Sequence, residues 1–165
     1  MKQISKVIAV ISVLLIGGTT LSAQDCKRMS KREMAGILGG FYYDASRATP
    51  FPHDERPLQV QFQVNCFSAS VYNFVWLIEN MPPRTTIKVF EEGQGSAKRK
   101  LVFDSTEATL IDDSRYALEG RDGKRKKLTI VYDVPGSSNA GCILFIIGFR
   151  GSDSITKTQN RYVIK

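Results

Sequence analysis

Apolar and polar side chains alternate most cleanly between Leu58 and Cys66. Leu58, Val60, Phe62, Val64 and Cys66 fall on one face, and Gln59, Gln61, Gln63 and Asn65 on the other. A period of two marks a half-buried β-strand, and one dry side facing one wet side is the habit of antiparallel sheets. The next run, Val71 to Glu79, is apolar on both faces, with Tyr72, Phe74, Trp76 and Ile78 on one and Val71, Val75 and Leu77 on the other. Such a strand belongs in the middle of a sheet, or beneath a helix or the proline-rich segment before it. Met81-Pro82-Pro83 ends the run, because proline has no N–H for a ladder.

Strand-like composition resumes at Thr85 to Glu91, and Glu92-Gly93-Gln94-Gly95-Ser96 predicts a hairpin into Arg99 to Asp104. Ala108 to Ile111 and Arg115 to Leu118 read as short strands. Asp122-Gly123 is a hairpin cue leading into Leu128 to Val134. Pro135 to Gly141 reads as a loop, and Cys142 to Phe149, apolar on both faces, as a central core strand. A polar tail precedes Tyr162-Val163-Ile164, which reads as a last edge strand. About eight short strands separated by turn signals predict an all-β fold, an antiparallel two-sheet sandwich, with a barrel as the alternative.

Upstream the period changes. Ser30-Lys31-Arg32-Glu33 has the form of a capping box, Met34, Ile37 and Leu38 lie at helical spacing, and Gly39-Gly40 supplies a stop. One short helix from Ser30 to Leu38 is predicted. The segment after it, with Pro50, Pro52 and Pro57, reads as irregular. At the start of the chain, Lys2 and Lys6 precede an apolar run from Val7 to Ile16, followed by small residues Gly17, Gly18, Ser22 and Ala23. This is the pattern of a cleaved secretory signal peptide. The run is too short to span a bilayer, which takes about 20 apolar residues. The expected organisation is a signal peptide over residues 1–23, an N-terminal helix and irregular segment over 24–57, and a β-sandwich over 58–165. The protein is thus expected to be exported, periplasmic or extracellular, and not an integral membrane protein.

Removal of 23 of the 165 residues leaves 142, the size of one domain, and takes two lysines from a formal charge of +7, leaving +5. A mild positive charge favours weak attraction to polyanions without naming a partner. An exported chain meets an oxidising compartment, and there are three cysteines, Cys26, Cys66 and Cys142. Cys66 and Cys142, both in strand-like sequence and both able to point inward, are the candidate disulfide; two buried free thiols are the alternative. Cys26 is then left free or paired to a partner. Asp25 before it departs from the small residue that a lipoprotein junction uses.

Catalytic templates are missing. The single histidine, His53, sits in Phe51-Pro52-His53-Asp54-Glu55 without further ligands at metal spacing, and reads as a loop residue. No Gly-x-Ser-x-Gly elbow occurs, and Ser154-Ile155-Thr156-Lys157 lacks the companions of a Ser-x-x-Lys site. The glycines of the turns do not precede helices whose amides could cradle a phosphate. Asp112-Asp113 and Glu91-Glu92 lack the alternating ligands of a calcium loop. No enzyme activity, cofactor or metal is expected.

Two basic groups stand out: Lys98-Arg99-Lys100, and the run Arg121 to Lys127 with Lys124, Arg125, Lys126 and Lys127. If their turns lie at one end of the sandwich, the summed potential can hold an anionic polymer. Lysines at strand edges also keep sheets from pairing with one another, which explains them equally well. Nucleic acid is disfavoured, because no aromatic residues interleave with the charges. Tyr42 and Tyr43 form a candidate aromatic surface, with core burial as the alternative.

The stretch Phe41-Tyr42-Tyr43-Asp44-Ala45-Ser46-Arg47-Ala48, the strand ending in Asn65-Cys66, the element Leu101-Val102-Phe103-Asp104 and Gly141-Cys142-Ile143 before a terminal apolar strand resemble a family of small exported proteins of Bacteroidota-type bacteria. The Ser22-Ala23-Gln24 junction is similar to signal ends common there. The resemblance implies a compact β-sandwich in the periplasm or outside the cell, with two cysteines in matching places, and transfers no functional residue. The expected role is a non-catalytic interaction or structural module of the bacterial cell envelope, with an unknown envelope protein as partner. The alternative is polyanion or glycan binding through the basic hairpins.

Overall fold

The computed structural model describes residues 26–93, 98–111, 115–120, 125–136, 139–151 and 163–164. Among these the chain forms α1 (Lys31–Ile37), β1 (Tyr42–Phe51), β2 (Leu58–Cys66), β3 (Ser70–Glu79), β4 (Thr86–Glu91), β5 (Lys100–Asp104), β6 (Arg115–Gly120), β7 (Lys126–Val134), β8 (Gly141–Gly151) and the two-residue β9 (Val163–Ile164). The pairings are nested and antiparallel: β1 with β8, β2 with β7, β3 with β6, and β4 with β5. The polypeptide is therefore one long hairpin, which pairing of β3 with β8 and of β4 with β7 rolls into two sheets. Their orders are β1-β8-β3-β6-β9 and β2-β7-β4-β5. This is the jelly-roll form of the expected two-sheet sandwich.

Between the sheets lies a core of aromatic and branched side chains. Trp76, fully buried, stacks at 5.1 Å on Phe103 and 5.2 Å on Phe145, which ties β3, β5 and β8 across the two layers. Offset aromatic pairs of this kind add about 0.5–1.5 kcal/mol to their area burial. The doubly apolar character of β3 and β8 has a second cause. Val71, Val75 and Ile146 point away from that core, into a separate cluster with Met34, Leu38 and Phe41 of the N-terminal segment. The helix covers the outer face of the five-stranded sheet, and so β3 needs no wet side.

Local sequence sets that helix in place. Ser30 caps it, its hydroxyl accepting from the Glu33 amide while the Glu33 carboxylate accepts from the Ser30 amide at 2.7 Å. Gly39 and Gly40, at φ of 60° and 92°, end it in a conformation that side-chain-bearing residues resist. Gly148 on β8 lies beneath: a Cβ there would come within 2.8 Å of the Leu38 methyls.

Several expectations are corrected. First, the segment after the helix is regular: ten of its residues form β1. Pro50 is tolerated because β1 is an edge strand, where a missing N–H need not cost a ladder bond. Second, Asp122-Gly123 does not close a hairpin, since β6 and β7 belong to different sheets, although residues 121–124 themselves lie outside the described residues. The expected strand from Ala108 to Ile111 is reduced to one bridge between Ile111 and Arg115.

Third, the disulfide joins Cys26 to Cys142, with Cα atoms 5.5 Å apart, and not Cys66 to Cys142. Side-chain alternation along β8 explains the difference. Cys142 has the parity of Leu144 and Ile146, on the outer face, whereas Cys66 points into the inter-sheet core. The two also lie at opposite ends of the sandwich: Cys142 is opposite Pro50, and Cys66 opposite Lys126. The bond instead staples the N-terminal segment to the sheet that its helix covers, and Cys66 is a buried thiol outside the pair.

Candidate functional site: the basic end of the sandwich

β7 runs from Lys126 at one end of the sandwich to Val134 at the other. At its first end β2 finishes, β4 finishes and β5 begins, so Asn65, Glu91, Glu92 and Lys100 arrive beside Lys126 and Lys127. The ladder continues past β4 through the Glu92 amide, which donates to the Lys127 carbonyl at 2.8 Å. These residues with Gly93, Lys98 and Arg125 line a cleft of about 530 Å³. The two basic groups, separate in sequence, thus share one surface. Lys124 lies outside the described residues.

Alternation sorts the charges into two layers. Lys126 and Glu91 have the parity of the inward side chains, and pair at 2.8 Å where the core reaches the end of the sandwich. Both are largely covered, which makes the pair a lid on the aromatic core. Lys127 and Glu92 face outward. The Glu92 carboxylate receives the Thr129 hydroxyl and the Arg99 guanidinium, the latter at 3.0 Å. The Thr129 hydrogen bond first, and then Arg99 and Lys127, hold the Glu92 carboxyl below its ordinary value. Lys98, Lys100, Arg125 and Lys127 are exposed and make no ion pair with any described residue. After the internal pairing, a cationic surface remains.

Aromatic side chains reach the same end by topology. β3 starts and β6 and β8 finish there, and the Phe67 amide donates to the Tyr72 hydroxyl at 3.0 Å, joining the sheets. Phe67 is 61 % exposed, one residue beyond Cys66, whose ladder partner is Lys126. Tyr42, 71 % exposed, leans on Phe149 in the row that contains Tyr72. Tyr43 does not share its fate: it is half-buried against the helix cluster, its hydroxyl 2.9 Å from Ser46. Sequence reading missed Phe67, whose one signal is a large aromatic directly after a strand that ends at the basic group.

The other end of the sandwich is built differently. A pocket of about 290 Å³ lies among Phe51, Pro52, Pro57, Pro82 and Pro135, with Asp54 and Arg56 at its rim. His53 is exposed in the loop above it. Among the described residues no three His, Cys, Asp or Glu side chains form a metal-holding group. The Asp112-Asp113 dyad and the Ser154 to Lys157 segment lie outside the described residues.

Fold and site together define a jelly-roll sandwich with a helical strap on one face and a cationic cleft at one end. Comparison of the chain with protein-family models, curated proteins and solved structures yields no match in any of the three.

Proposed function

We propose that the protein is an exported, non-catalytic module of the bacterial cell envelope, and that its basic end binds an anionic polymer. The single observation that carries this reading is the convergence of Lys98, Lys100, Arg125 and Lys127, from two distant segments, on one cleft at the end of the sandwich where Phe67 is exposed. Lysines serving only to protect sheet edges have no reason to gather in this way. Export is supported by the charged and apolar leader pattern and by a disulfide, which forms and persists in oxidising compartments. Among the described residues no helix is long and apolar enough to cross a membrane.

The chemistry required is modest. Cations spread along a cleft replace the counterions of a polymer, so affinity rises as salt falls, without a fixed stereochemical fit. Long-chain polyphosphate is a suitable probe. Its binding, measured by fluorescence anisotropy, is expected to weaken at least about tenfold between 50 and 200 mM salt, the behaviour of a ligand held by several ion contacts. Salt-independent binding, or none at low salt, contradicts the reading.

A further inference from the structure

The sandwich has four sheet edges, and three carry features that discourage pairing with another chain. β1 has a register shift between Tyr43 and Ala45, charges at Asp44 and Arg47, and Pro50. β5 is five residues long and meets β4 across another shift. The edge of β6 is occupied by β9. β2 has none of these. It is nine residues long, runs in unbroken register along β7, and contains no charge, proline or glycine. Among the described residues no strand pairs with its other side, which presents a row of main-chain N–H and C=O groups.

The residues of β2 say which partner suits that row. Leu-Gln-Val-Gln-Phe-Gln-Val-Asn-Cys reads almost the same in both directions about Phe62. We infer that β2 pairs antiparallel with β2 of a second copy of this chain, about a two-fold axis at Phe62, joining two four-stranded sheets into one of eight strands. That register sets Phe62 against Phe62, Val60 against Val64, Gln61 against Gln63 and Gln59 against Asn65 of the second copy. Each side chain meets its own chemistry on its own face, as an isologous contact requires. Either phase of the ladder supplies about eight to ten main-chain hydrogen bonds. The rows beyond are complementary in charge: Lys127 lies beside Asn65, and Asp133, which accepts from Gln59 at 2.6 Å, stands at the far end of the same row in the second copy.

The test uses exposed glutamines, whose replacement leaves the core untouched. Sedimentation of the purified protein is expected to give twice the mass of one chain. In Gln61→Lys/Gln63→Lys, lysine faces lysine at both symmetric positions, and association is expected to weaken at least about tenfold with circular dichroism unchanged. In Gln61→Lys/Gln63→Glu, lysine faces glutamate at both, and the dimer is expected to return. A wild-type protein that stays monomeric at every accessible concentration overturns the inference. So does a dimer indifferent to the paired lysines, or a Lys/Glu variant as monomeric as the Lys/Lys one.

Discussion

The two ends of the sandwich are finished by opposite means. At one, Pro52, Pro57, Pro82 and Pro135 surround a small pocket, and the disulfide ties Cys26 to the start of β8. At the other, the core is closed by the Lys126–Glu91 ion pair, and the rim is exposed cations with Phe67 and Tyr42. Proline and a long-range cross-link restrict the unfolded chain, and so contribute stability without presenting charge. Cations without an ion pair among the described residues repel one another, and an anionic polymer, as proposed, would neutralise them. One end is fastened covalently and by proline, and the other carries the charge on which the proposed function rests.

The contrast breaks most visibly at the disulfide. Cys142→Ser is expected to lower unfolding stability by about 2–5 kcal/mol, since the bond closes a loop spanning 116 residues, and chemical reduction of the wild type should do the same. Denaturant midpoints with and without reductant check this, while polyphosphate affinity should stay as it was. Arg125→Glu/Lys127→Glu is the converse: affinity falls at least about tenfold and the slope of log affinity against log salt shrinks by about 2–4, two cations having been reversed in sign. The thermal midpoint should barely move.

Glu92→Gln sits between these. It frees Arg99 for the ligand, and a gain of about two- to threefold in affinity is expected, within the range of exposed ion pairs. Because the folded-state pKa of Glu92 is depressed, its contribution to stability is present above the ordinary value of 4.5 and is lost as pH falls through the lower folded value. Over that same acidic window wild-type affinity should rise as the carboxylate is neutralised, and Glu92→Gln should flatten the rise. The smallest effect belongs to Arg56→Glu, which loses only the exposed Asp54 contact at the proline end: stability within about 1 kcal/mol, and binding unaltered.

Much of the architecture could be read from period alone. β2 alternates because one of its faces is wet, and β3 and β8 do not because the strap covers their outer side. The capping box placed α1 to within a residue at each end. What escaped depended on distant neighbours. Pro50 argued against a strand at β1 until the strand proved to be an edge. Asp122-Gly123 looked like a hairpin because local turn chemistry does not reveal that the flanking strands enter different sheets. Cys66 and Cys142 each looked able to point inward, but only the roll-up of the chain puts them at opposite ends and on different faces. The basic groups were legible as composition, and their meeting was not, since it follows from β4, β5 and β7 lying side by side.

Amide chemical-shift mapping during a polyphosphate titration locates the bound polymer on the sandwich. Binding at the basic end predicts shifts confined to Asn65 to Phe67, Glu91 to Gly93, Lys98 to Lys100 and Arg125 to Lys127, abolished by high salt. Shifts centred on the proline-lined pocket, or saturable binding that leaves the basic end unperturbed, would contradict it.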